Sequence, residues 1–184
     1  MERTADLFIL SMVFWIAGCG GQQVSSEIQP MKVENPNVNA GYYRSGDTYI
    51  AGQPNPKGLE NARNAGVKTV INLRAEGEQN QFDEKKVVES LGMNYVSIPV
   101  TSQTLTDDKA DKFLETMRAA KGPVMVHCAS ANRASGFWAI HLNVNKGVPA
   151  REAISAAEMS GLRSGPVKDF VQNYLQRKGK TPNN

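Results

Sequence analysis

Cys128 and Arg133 enclose a short run, Ala129-Ser130-Ala131-Asn132, which follows the apolar segment Val124-Met125-Val126 and precedes a stretch with helical spacing. A loop between a buried strand and a helix N-terminus turns several backbone N–H groups toward one point, and the helix dipole adds partial positive charge there. Such a loop binds an anion. Arg133 at its far end could close the ring and hold two oxygens of a phosphate with its planar guanidinium. Cys128 at the near end shares the positive field, which favours thiolate over thiol. A thiolate on the floor of an oxyanion cradle is placed for in-line attack, giving a covalent intermediate that water then resolves. This chemistry needs no metal and no cofactor. The backbone of Ala129, Ser130, Ala131 and Asn132 would line the anion.

The elements that must position this loop are legible upstream and downstream of it. Thr48-Tyr49-Ile50-Ala51 has the look of a short strand, and Asn55-Pro56 offers a cap and a first-turn proline for a helix through Ala65, stopped by Gly66. The spacing then predicts a strand over Thr69–Leu73, a helix from about Asp83 to Leu91, a strand over Tyr95–Val100 and a helix from the cap Thr106 to about Ala120. Beyond the loop, Ala134 to Lys146 carries Phe137, Ile140, His141 and Val144 at helical spacing, and further helices are expected over Ala150–Ser160 and Pro166–Arg177. His141 and Trp138 are most simply packing residues. Strands separated by crossover helices predict a single α/β domain with a mainly parallel central sheet and helices on both faces. Ligands of such sheets bind beyond the carboxyl ends of the strands. That places the segments Arg74–Gln79, Thr101–Thr106 and Cys128–Arg133 together.

Length and composition fit one domain: 184 residues, 40% hydrophobic and 21% charged. The net charge of +3 comes from Lys and Arg scattered among Asp and Glu, so no nucleic-acid patch is expected. The N-terminal stretch differs in kind. Leu7 to Ala17 is a continuous apolar run, short for a bilayer span, ending in Ile16-Ala17-Gly18-Cys19. This resembles the lipobox of bacterial lipoproteins, which implies a signal peptide over residues 1–18, lipidation of Cys19 and tethering outside the cytoplasmic membrane, with Gly20 favouring the outer membrane of a Gram-negative cell. Residues 19–40 then read as a polar, flexible tether, 41–178 as the domain and 179–184 as a polar tail. The only other cysteine, Cys128, would be a free thiol in an oxidising compartment.

Strand, His-Cys, short loop, Arg and helix together resemble the signature of protein tyrosine and dual-specificity phosphatases. Upstream, Ala51-Gly52-Gln53-Pro54, Gly66 through Arg74, Gly92-Met93-Asn94-Tyr95 and Ile98-Pro99-Val100 resemble the bacterial beta-lactamase-hydrolase-like phosphatase family (DUF442). The resemblance covers roughly residues 42–162. It implies a dual-specificity-phosphatase-like fold, Cys128 as nucleophile, Arg133 as phosphate binder, His127 fixing the loop by hydrogen bonding rather than acting as a base, and a phosphorylated substrate. Most cysteine phosphatases place five residues between Cys and Arg, whereas this chain has four, a spacing the bacterial family shares. That family usually carries Gly where Ala131 stands, so a positive φ there would cost about 1 kcal/mol or more. Related enzymes also place Ser or Thr directly after Arg to assist the departing thiolate, and here Ala134 precedes Ser135.

Phosphatases of this kind bring an Asp from a neighbouring loop to protonate the leaving oxygen. Thr101-Ser102-Gln103-Thr104 holds none. Asp107 and Asp108 come nearest, although first-turn acids of this sort commonly stabilise a helix terminus. Glu76 and Glu78 are comparable candidates. Two other classes remain open on the sequence: a phosphate-binding module without turnover, and a rhodanese-like sulfurtransferase carrying a persulfide on Cys128.

Overall fold

The computed structural model describes residues 28–78 and 82–179. The apolar run, the lipobox and Cys19 lie outside them. Among the described residues no helix is long and apolar enough to cross a membrane.

Among the described residues, six strands and six helices follow one another in the order β1 (Met31–Lys32), β2 (Tyr42–Ser45), β3 (Thr48–Ala51), α1 (Pro56–Asn64), β4 (Thr69–Asn72), α2 (Glu84–Ser90), β5 (Asn94–Ser97), α3 (Asp107–Ala119), β6 (Val124–His127), α4 (Asn132–Val144), α5 (Ala150–Met159) and α6 (Pro166–Lys178). The sheet order is β1-β2-β3-β6-β4-β5. Strands β3, β6, β4 and β5 are parallel, as the crossover pattern requires, while β1 and β2 add an antiparallel edge. That edge is longer than the sequence pattern shows. Tyr42–Ser45 turns into β3 through the two-residue link Gly46-Asp47, a hairpin length that favours Gly and Asp.

The flexible tether expected up to residue 40 gives way to structure earlier. Met31 and Lys32 pair with Arg44 and Tyr43, Val33 donates to the Tyr42 carbonyl at 2.7 Å, and Val38 is buried. Both β1 side chains are exposed, so the strand is held through its backbone and leaves no hydrophobic signature.

Strand alternation divides the core in two. Ile50, Ile71 and Val126 point into a cluster closed by α3, α4, α5 and α6, whereas Tyr49, Val70 and Met125 point into one closed by α1 and α2. Burial of both faces explains why β3, β4 and β6 are buried at every position. Helix α4 is buried from Ala134 through Asn143, with Phe137 edge-on to Phe113 and Trp138 in the core, consistent with its apolar character all round. The cap expected at Asn55 is present and accepts from the Gly58 N–H, Thr106 stands at the N-cap of α3 without a side-chain cap bond, and Asp83 caps α2 by accepting from the Lys86 N–H. Helix α4 begins two residues earlier than its apolar pattern, so Arg133 belongs to its first turn.

Candidate active site

Cys128 leaves β6 with its N–H on the carbonyl of Ala51 at 3.2 Å, and its side chain is fully buried. The chain then bends over the end of β3, where the carbonyl of Ala129 accepts from Gln53 N–H at 3.2 Å and Ser130 bridges Gly52. Gly52 is required here, because a Cβ at that position would overlap the carbonyl of Asn39. Ala131 takes up a left-handed conformation, φ 65° and ψ −17°, as the N-cap of α4. The first intrahelical bond runs from Ser135 N–H to Ala131 C=O at 2.8 Å. The N–H groups of Asn132, Arg133 and Ala134 therefore open the helix without intrahelical acceptors, the arrangement that receives an anion.

Arg133 is held by the segments that follow two strands, β4 and β5. Its Nη1 donates to Glu78 Oε1 at 2.5 Å and to the carbonyl of Val100 at 2.7 Å, with Leu73 C=O at 3.4 Å, while Nη2 donates to Glu78 Oε2 at 2.8 Å. The expected segments after β4 and β6 thus meet at one guanidinium, whereas on the β5 side the contact comes from Val100, just before the expected Thr101–Thr106 segment. Hydrogen bonding from Arg133 holds the Glu78 carboxyl down to about 2 against the opposing effect of burial, with the Ala75 N–H and Arg74 adding to the depression. Arg133 is raised in turn, first by Glu78 and, against desolvation, also by the nearby Cys128 sulfur. Glu78 grips the end of the fork, which leaves the edge formed by Nε and Nη2 with the paired-donor spacing an oxyanion matches.

A buried polar chain links the two ends of the loop. His127 Nε2 lies 2.7 Å from Glu84 Oε1, Gln53 Nε2 donates to Glu84 Oε2 at 2.6 Å, and Arg74 Nη1 donates to Gln53 Oε1 at 2.5 Å. Arg74 Nε then reaches Glu78 Oε2 at 3.5 Å, which closes the path to Arg133. Burial pushes the Glu84 carboxyl up, but the hydrogen bond and charge of His127, together with Gln53 and Arg74, outweigh it and leave the group below its ordinary value. His127 is buried and hydrogen-bonded behind the loop, where a loop-fixing role was expected of it.

Other expected residues go elsewhere. Asp107 pairs with Arg177 at 2.8 Å and Lys178 at 3.6 Å on α6, and Asp108 is exposed at the start of α3. Glu76 is exposed, and the segment from Thr101 to Thr104 closes on its own hydroxyls. Ser135 donates its hydroxyl to the carbonyl of Ser160 at 2.9 Å. Asn132 Oδ1 accepts from the Arg163 N–H at 2.9 Å, and the hydroxyl of Ser130 accepts from Arg163 Nη2 at 2.7 Å. Gln53, Glu84 and Arg163 were not singled out as site residues from the sequence. Gln53 does lie in the Gly-Gln-Pro segment that carries the family resemblance, but Glu84 and Arg163 look like ordinary helix and loop charges.

Residues 44–145 match the family model of the beta-lactamase hydrolase-like protein, phosphatase-like domain. The chain belongs to this family. A beta-lactamase hydrolase-like protein of Agrobacterium fabrum is 36% identical over 95 residues, which is 50% of this chain and 22% of that protein, so the chain spans about a fifth of the relative it matches. Among solved structures, a DUF442 protein from Shewanella putrefaciens CN-32 superposes with a TM-score of 0.66 at 23% identity, covering 78% of this chain and 95% of its own. TpbA of P. aeruginosa, solved as a cysteine-to-serine variant with phosphotyrosine, gives 0.65 at 20% identity, covering 80% and 91%. At such identities these likenesses establish the fold, a single phosphatase-like α/β domain.

Proposed function

We propose that the protein is a cysteine-dependent phosphatase acting on aryl phosphate monoesters, phosphotyrosine among them. The observation that carries this reading is Arg133, fixed by Glu78 at the first turn of α4, at the far end of the loop that starts at the buried Cys128. The phosphotyrosine bound to TpbA, a relative in fold, supports the substrate class.

In this mechanism the phosphoryl group sits on the α4 N-terminus, its oxygens on the loop N–H groups and on the free edge of Arg133. The Cys128 sulfur attacks phosphorus, an S–P bond forms, and the P–O bond to the aryl group breaks with its electron pair leaving on oxygen. Water then attacks phosphorus, the S–P bond breaks, and inorganic phosphate departs with the thiolate restored.

The test is release of phosphate from p-nitrophenyl phosphate by the purified protein in EDTA. Cys128→Ser is expected to abolish it, and Arg133→Ala to weaken binding and rate together. Undiminished activity in Cys128→Ser sinks the mechanism, and thiocyanate production from thiosulfate and cyanide without phosphate release replaces it with sulfur transfer.

The apolar run ending at Cys19 supports a second part of the proposal, that the domain works as a lipoprotein tethered outside the cytoplasmic membrane. Cys19→Ala is expected to move the protein from the membrane fraction to the soluble one; retention in the membrane argues against lipidation.

A further inference from the structure

Arg163 lies in the turn between α5 and α6, remote in sequence from the phosphate loop, yet it is bound to that loop at two points. Its backbone N–H is fixed on Asn132 Oδ1 and its Nη2 on the Ser130 hydroxyl, 2.9 and 2.7 Å away. The turn itself is braced, because Ser160 C=O takes the Ser135 hydroxyl and Gly161 packs against Ala131. The guanidinium is therefore held on the outer rim of the cradle while remaining exposed.

Its electrostatic situation differs from that of other cations around it. Arg133 is paired with Glu78, Lys168 with Glu158, and Arg177 and Lys178 with Asp107 and Asp111. Among the described residues, no carboxylate lies within ion-pairing distance of Arg163. Ser130, a residue of the loop, occupies one of its donors with a neutral acceptor, and the side chain is exposed. An arginine fixed in place and left without a counter-ion costs little further side-chain entropy on binding an anion.

Resting on the phosphatase reading above, we infer that Arg163 is a specificity residue. It selects aryl phosphates that carry a second negative charge beside the scissile phosphate, in a protein substrate a phosphotyrosine flanked by Asp or Glu. The scissile phosphate takes the loop and Arg133, and the flanking carboxylate takes Arg163 across the Ser130 side chain.

The test compares kcat/KM for two phosphotyrosine peptides that differ only in Glu or Ala at the residues flanking phosphotyrosine. The native protein is expected to prefer the acidic peptide. Arg163→Gln should lower that preference about three- to fivefold, the range of a well-placed exposed charge pair, whereas Arg163→Lys should retain part of it at low salt. Any loosening of the loop in the variants affects both peptides and cancels in the ratio. A ratio that stays the same in Arg163→Gln while both rates fall together overturns the inference and leaves Arg163 a loop brace. The ratio of dissociation constants for the same peptides with Cys128→Ser, with and without Arg163→Gln, reads the preference without turnover. A binding preference that Arg163→Gln removes, together with no hydrolysis of either peptide by the native protein, would reject the phosphatase reading and keep the role of Arg163; equal affinities of Cys128→Ser for the two peptides reject that role.

Discussion

Ala131 turns left-handed directly against Gly161: a methyl group built on Gly161 would lie 3.1 Å from the Ala131 Cβ. The loop from Cys128 to Arg133 thus carries a side chain where its conformation favours none, and the facing turn gives up its own side chain to make room. A left-handed alanine costs about 1–2 kcal/mol. Ala131→Gly removes that strain but adds freedom to the unfolded chain, so its net effect on stability should stay within about 1 kcal/mol. Gly161→Ala should destabilise by more, since φ at Gly161 is 122° and the new methyl meets Ala131. Urea melts of both single variants and the double variant measure the coupling; a favourable interaction of at least about 0.5 kcal/mol is expected for two groups in contact. Strict additivity would show that the contact is irrelevant to the loop.

Glu78 holds Arg133 at two nitrogens, and its ionisation should be visible in stability as well as catalysis. Its folded pKa of about 2 lies below the ordinary carboxylate value of 4.5, so the folded state binds fewer protons between the two. The pair therefore contributes fully above about pH 4.5 and is lost as pH falls through 2. The stability difference between the native protein and Glu78→Gln should shrink over that window. At neutral pH, Glu78→Gln should lower kcat/KM for p-nitrophenyl phosphate about ten- to a hundredfold, on the scale of a misplaced binding group. Unchanged kinetics would mean that the Val100 carbonyl alone suffices to position Arg133.

His141 provides a second acid-sensitive point, far from the loop. Burial lowers its pKa to about 4, with Lys146 and Arg118 adding to the effect, and Asn145 donates to its Nδ1. A base whose pKa falls on folding is held neutral, so its contribution is complete above the unfolded value near 6.5 and disappears as pH drops through 4. Unfolding free energy should fall by about 2–3 kcal/mol across this range beyond what the carboxylates contribute. His141→Gln, which keeps an acceptor for Asn145, should flatten the slope between pH 6.5 and 4; an unaltered slope assigns the acid sensitivity elsewhere.

Much of this fold is legible in the sequence because its signals are local. The cap at Asn55, the N-cap position of Thr106 and stop glycines at 66, 92 and 147 bracket the elements, and the buried parallel strands show as apolar runs. Met31–Lys32 leaves no such mark, since a two-residue edge strand paired by backbone has no period. The left-handed position of Ala131 is signalled only through the family resemblance, which usually places Gly there. Glu84 could not be read, because its partner His127 is 43 residues away and a glutamate in a helix's first turn is ordinarily explained by the dipole alone. Arg163 is hidden for the same reason: only the tertiary fold brings the α5–α6 turn onto Ser130.

For the proposed reaction, the open question of the site is proton delivery to the leaving group. Glu78 is the carboxylate bound into the loop, and Arg133 keeps it ionised, so at neutral pH it has no proton to give. Asp107 is committed to α6 through Arg177, and Asp108 is exposed on α3. An enzyme without a positioned acid expels leaving groups according to their own basicity, since general acid catalysis worth about 10²–10⁴-fold is absent. Phosphate release should therefore be efficient from p-nitrophenyl phosphate, slower from phosphotyrosine and slowest from phosphoserine, with kcat falling steeply as the leaving-group pKa rises. Asp107→Asn should change kcat by less than about twofold while costing up to about 1 kcal/mol in stability through its exposed ion pair. A shallow leaving-group dependence that becomes steep in Asp107→Asn would make Asp107 the acid, and would require α3 to move toward the loop when substrate binds.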